Sequence, residues 1–165
     1  MNGPACIVAL SASARSLLPG HDFADAYQVD AAVSGLTARQ ATQAIVTHPP
    51  AWVKHLVKTR NCIVSLFQLR TVEIGVDQPL RPTIGGFPVV AQSAEEVVLG
   101  FDDKHLDFRI SVTVNAGSGA GTLVTVATVV KTNNFFGRAY LATIMPFHRL
   151  IVRHLLEHAR FGQVS

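Results

Sequence analysis

Leu106-Asp107-Phe108-Arg109-Ile110-Ser111-Val112-Thr113-Val114 decides the fold. Apolar side chains hold every second position and polar ones the positions between. That period places Leu106, Phe108, Ile110, Val112 and Val114 on one face of a strand and Asp107, Arg109, Ser111 and Thr113 on the other. The same alternation stands upstream at Val97, Leu99 and Phe101. Downstream, the small-residue turn Ala116–Gly121 leads into the β-branched run Thr122–Thr132. At Phe135 the spacing changes. Tyr140, Leu141, Ile144, Phe147, His148, Ile151, Val152 and Leu155 recur at helical intervals up to His158, with Asn134 as N-cap and Gly162 as the stop. Alternation that gives way to helical spacing predicts an antiparallel sheet with a helix laid across its apolar face. The expected class is α+β: a curved antiparallel sheet wrapped around a long C-terminal helix. Pro146 should kink that helix or split it in two.

Toward the N-terminus, Phe23–Val29 reads as a first strand, and Thr37 caps a helix from Ala38 to His48. Pro49-Pro50 ends it and opens a second helix, with Trp52, Val53, Leu56, Val57, Ile63, Val64 and Phe67 at helical spacing. Arg70–Gly86, interrupted by Pro79, Pro82 and Gly85-Gly86, reads as a long irregular loop of the kind that forms a portal. Phe87–Ala91 is a further strand, followed by Val97–Asp102, Leu106–Asn115 and Thr122–Thr132. Five strands are thus expected. Residues 1–20 read as a leader or edge segment, and 21–162 as one domain.

The chain has 165 residues, 48% of them hydrophobic and only 15% charged, with a mean hydropathy of +0.31. So little charge suggests an apolar cavity, or a homodimer interface, in need of covering. Cys6 and Cys62 form neither a metal nor a redox spacing, so a reducing, cytoplasmic setting is expected. The N-terminal apolar stretch lacks the preceding positive charge of a signal peptide. No run reaches the roughly 18 apolar residues of a membrane span, which excludes an integral membrane protein of the helical kind. Net charge is +3, with bases concentrated in the helical segments and acids in the strands and turns. No Lys/Arg tract with interleaved aromatics is present, so nucleic acid is not an expected partner.

Several strings resemble a known family: Gly86-Phe87-Pro88-Val89, Glu96-Val97-Val98-Leu99-Gly100, Asp102-Asp103-Lys104-His105-Leu106-Asp107-Phe108-Arg109 and Pro146-Phe147-His148-Arg149-Leu150-Ile151-Val152-Arg153. The resemblance runs from about Leu17 to Arg160. It is to an uncharacterised bacterial family, a domain of unknown function sometimes fused to NAD(P)-binding reductase-like domains. The order of elements in turn resembles the START-like (SRPBCC) helix-grip superfamily. That resemblance implies an apolar small-molecule site between sheet and helix. It carries over no catalytic residue, and it implies six or seven strands where five are expected.

Among polar groups, His105, Asp107 and Arg109 share a strand face, where an Asp could orient an imidazole for proton transfer. A solvated ion-pair row is the preferred reading, because the opposite face must meet the helix. His148 lies on the apolar stripe of the C-terminal helix. It serves either as a core residue satisfied by a carbonyl freed at Pro146 or as a polar contact to a ligand. Arg149 and Arg153, four apart, could hold an anion, or simply face solvent. His154 and His158 have metal spacing but no supporting ligand set, so no metal is expected. Gly117–Gly121 links two strands and is not a phosphate cradle.

The preferred function is non-enzymatic binding of a small apolar molecule or lipid between sheet and helix. Trp52, Phe108, Ile110, Tyr140, Ile144, Phe147, His148 and Ile151 would line the site, with no cofactor. One alternative is a cyclase-, isomerase- or hydrolase-type enzyme using His148 or His105 as acid and base. Another is an interaction module that partners an NAD(P)-dependent reductase.

Overall fold

A computed structural model describes residues 2–47, 82–117 and 119–162. The expected second helix with Trp52, Cys62, and all but the end of the Arg70–Gly86 loop lie outside these residues. The described elements are β1 (Cys6–Ile7), α1 (Ala12–Ser16), β2 (Phe23–Ala31), α2 (Ala38–Val46), β3 (Thr83–Ile84), β4 (Phe87–Gln92), β5 (Glu96–Asp102), β6 (Leu106–Ala116), β7 (Thr122–Thr132) and α3 (Phe135–His158).

The alternating run Leu106–Val114 forms β6, near the centre of a seven-stranded antiparallel sheet ordered β1-β2-β7-β6-β5-β4-β3. Its two hairpins fix the register, with Phe108 opposite Phe101 on one side and Val130 on the other. Seven strands form where five were expected. The two additional ones, β1 and β3, are two residues long, too short to show a period. β3 arises in the supposed loop because Gly85 and Gly86 both adopt positive φ and close a tight hairpin onto β4.

One sheet face carries Tyr27, Val29, Val97, Leu99, Val112, Val114, Val124 and Val126, packed against Ala41, Ala44 and Ile45 of α2 and Leu156 of α3. Thr37 caps α2 through a reciprocal pair with Gln40, which satisfies two orphan donors at once. α2 covers the β5–β6 side of this face and α3 lies over β2 and β7. On the opposite face α1 buries Ala14 against Ala26 and Ala127.

α3 begins where expected, with the Asn134 side chain accepting the Gly137 N–H at 3.0 Å. Its span, Phe135–His158, is the one the helical spacing marks, and of the two outcomes expected at Pro146 the break does not occur. It ends at His158, four residues before Gly162, with Ala159 extended. The terminal carbonyls do not need a glycine there, because Asn2 Nδ2 donates to the Ala159 carbonyl at 2.7 Å and reaches the Leu156 carbonyl at 3.3 Å. No helix among the described residues is long and apolar enough to cross a membrane.

Candidate functional site

The odd positions of β2 and the even positions of β7 share the face beneath α3. On β2 these include Phe23, Asp25, Tyr27 and Val29, and on β7 Val124, Val126, Thr128 and Val130. Besides the Tyr27 phenol, two of these side chains are polar, and the register sets them side by side, Asp25 directly opposite Thr128. His148 comes down from α3 onto the same spot. Its Nε2 donates to Asp25 Oδ1 at 3.3 Å, with side-chain exposures of 14% and 12%. The Phe23 ring stands edge-on to the imidazole at 5.9 Å. Asp25 Oδ2 and Thr128 Oγ1 are both buried and have no hydrogen-bond partner.

Tyr27 is the next residue along this face and is 4% exposed. Burial raises its phenolic pKa above the ordinary value, and the Asp25 charge adds to the rise. Arg149 and Arg153 pull it back down. Those two arginines therefore stand on the β2 side of α3. On that same side the Ala5 N–H donates to Glu157 Oε1 at 3.2 Å. Arg153 Nε is engaged with Glu157 at 3.1 Å, which holds that carboxyl below its usual range.

By the helical period Tyr140, Ile144, Phe147 and Ile151 fall on the opposite flank. The same sheet face presents a ring cluster on β4, β5 and β6. Phe108 lies 5.5 Å from Phe101 and 6.2 Å from Phe87, with half-buried Ile110 alongside. Tyr140, Ile144 and Ile151 are half-buried, and Phe147 is 47% exposed. The arrangement is an apolar flank and an aromatic sheet surface, with a carboxylate, an imidazole and a hydroxyl at the seam between β2, β7 and α3.

The other polar candidates are not gathered there. His105 precedes β6 and belongs to a clamp at the start of α3. Asn134 Nδ2 donates to its Nδ1 at 2.9 Å and to the Lys104 carbonyl at 3.0 Å, and Phe136 stands edge-on to the ring. His105 Nε2 is buried without a partner. Asp107 accepts from Asn133 Nδ2 at 3.1 Å. Arg109 pairs with Asp102 across the hairpin at 2.7 Å on the face away from α3. The three side chains of the expected row thus serve three different partners. His154 and His158 stack on each other at 4.0 Å, and no cluster that could hold a metal occurs among the described residues.

Asp25 and Thr128 escaped the reading of the sequence, although each carries a signal. Asp25 shares its strand face with Phe23, Tyr27 and Val29, and Thr128 shares its face with Val124, Val126 and Val130. A polar residue flanked by apolar ones on the buried face of a strand is the mark of a buried polar site. Phe87 and Phe101 were read as strand residues, and only the sheet order brings them to Phe108.

A family model described as Protein of unknown function (DUF2867) matches residues 17–155. No curated protein and no solved structure matches the chain.

Proposed function

The chain belongs to the DUF2867 family of proteins of unknown function, and we propose that it binds a small apolar or amphipathic molecule between the sheet and α3, in the manner of a helix-grip, START-like domain. The observation that carries this reading is the unmatched apolar wall. Tyr140, Ile144, Phe147 and Ile151 share one flank of α3 and are only partly covered, and the sheet face beneath the helix carries the Phe87–Phe101–Phe108 cluster. Large apolar side chains held half-exposed along one flank of a helix suit a ligand better than a finished core. Trp52 belongs to the same expected lining.

The test is native mass spectrometry of the purified protein, with thermal shift across a panel of fatty acids, alcohols and aromatic molecules. We expect a co-purifying or added apolar molecule to raise the melting temperature, and Ile144→Trp to abolish the effect by filling the space. No mass shift and no stabilisation by any member of the panel would refute it.

One observation favours a second reading, acid–base catalysis on the bound molecule. His148, alone of the two histidines considered, is oriented by a carboxylate at this seam. An Asp that fixes an imidazole tautomer is the arrangement a general base requires. His105 instead spends its Nδ1 on the start of α3.

A further inference from the structure

We propose that the polar end of the ligand is a hydrogen-bond donor, a hydroxyl or a protonated amine, seated between Asp25 Oδ2 and Thr128 Oγ1. The inference rests on the apolar-ligand reading above and names the head group that reading leaves open. Both oxygens are buried on the face beneath α3, in directly opposed residues of β2 and β7, and neither has a partner. Thr128 is 1% exposed. Asp25 Oδ2 is a buried acceptor that lacks a donor, and the Thr128 hydroxyl, able to donate or to accept, does neither, so a group that donates to Asp25 and also meets the hydroxyl would satisfy both.

The neighbours do not supply that group. His148 Nε2 is already committed to the other carboxylate oxygen, Oδ1. The Phe23 ring offers the imidazole its edge or face and supplies no hydrogen bond of ordinary strength. The phenol of Tyr27 is packed in the core and lies under the influence of Arg149 and Arg153 on the β2 side. Among the described residues no ion pair joins an arginine of α3 to Asp25, and Arg153 pairs with Glu157. A carboxylate or phosphate head would meet the Asp25 charge at close range in a medium of low dielectric, which disfavours it steeply. The basic residues of α3 suggested an anionic ligand from the sequence. Their placement on the flank away from the aromatic cluster removes that support.

A head between Asp25 and Thr128 leaves its tail free to run under α3 toward Ile110, which sits opposite Thr128 on β6. From there it meets Phe108 and the Ile144–Phe147 flank. The chemistry selected is therefore an apolar tail with a neutral or cationic donor at one end.

Three probes of equal chain length test this: decan-1-ol, decylamine and decanoate, with binding measured by calorimetry on the full chain. The expected result is that the alcohol and the amine bind at least tenfold more tightly than decanoate. Asp25→Asn should abolish that preference and weaken decylamine by tenfold or more. Thr128→Val, which keeps the shape and removes the hydroxyl, should weaken both donors several-fold while circular dichroism shows an unchanged fold. Decanoate binding as tightly as the other two, or a preference that survives Asp25→Asn and Thr128→Val, overturns the inference while leaving the apolar-ligand reading intact. Failure of all three probes to bind wild-type protein overturns both. An ordered water that bridges Asp25 and Thr128 in a crystal grown with decylamine overturns the inference alone.

Discussion

Tyr27 shows at the scale of one residue how the seam beneath α3 controls charge. Its phenol is raised from an ordinary value of 10.0 first by burial and then by the Asp25 carboxylate. A proton is thus held in the folded protein at a pH where the unfolded chain has begun to release it. Stability should be insensitive to this group below about pH 10 and fall as pH rises above it, because the folded state then binds more protons than the unfolded one. Absorbance at 295 nm should show one of the two tyrosines titrating late, and Asp25→Asn should bring that titration earlier. An unchanged titration in Asp25→Asn would mean that Asp25 and Tyr27 do not sense each other. Asp22 follows the opposite sign at the surface. The Thr132 hydroxyl and backbone N–H both donate to its Oδ2 at 2.6 Å and lower its pKa. Its contribution is complete above the usual aspartate range and is lost as pH falls through the depressed value.

At the scale of the element, α3 is held at its start by the turn before β6. Gly137 is buried there, and a Cβ on it would run into the His105 carbonyl. Two effects compete in Gly137→Ala. Helix propensity favours alanine by about 1 kcal/mol. Forcing a methyl against a backbone carbonyl costs about 1–3 kcal/mol or more, and a backbone atom cannot swing aside as a side chain can. The second effect wins, so we expect a net loss of up to about 2 kcal/mol, measured as a lower urea midpoint. A stabilised Gly137→Ala variant would show that α3 does not dock on this turn. The clamp is polar as well: Asn133 N donates to the His105 carbonyl at 2.8 Å and Asn133 Nδ2 to the Asp103 carbonyl at 2.9 Å. These bonds set the angle at which α3 leaves the sheet, and so where His148 lands.

Across the whole molecule, the two ends of α3 and its middle have different tasks. Leu156 is 0% exposed and packs into the main core, while Asn2 and Ala5 tie the last turn to the N-terminal segment. Phe147, in the middle of the helix, is 47% exposed. Leu156→Ala should therefore cost about 2–5 kcal/mol, as deletions of buried leucine do. Phe147→Ala should change stability by less than about 1 kcal/mol yet weaken apolar ligands. Urea denaturation and the ligand thermal shift, measured on both variants, check the division. Equal losses of stability would mean that α3 is packed alike along its length and leaves no room for a ligand.

By itself the sequence determined what depends on neighbours along the chain. Alternation in Leu106–Val114 and the β-branched run Thr122–Thr132 specify strands because each side chain's face is set by its parity. Thr37 and Asn134 specify helix starts because a cap acts within three residues. His148 was singled out for the same reason, as a polar residue on an apolar helical stripe. Strands of two residues and a helix end capped by Asn2, more than 150 positions away, leave no local trace. The seam itself belongs to the tertiary structure. Asp25, Thr128 and His148 come from three separate segments, and only the pairing of β2 with β7 and the docking of α3 over both bring a carboxylate, a hydroxyl and an imidazole to one buried point.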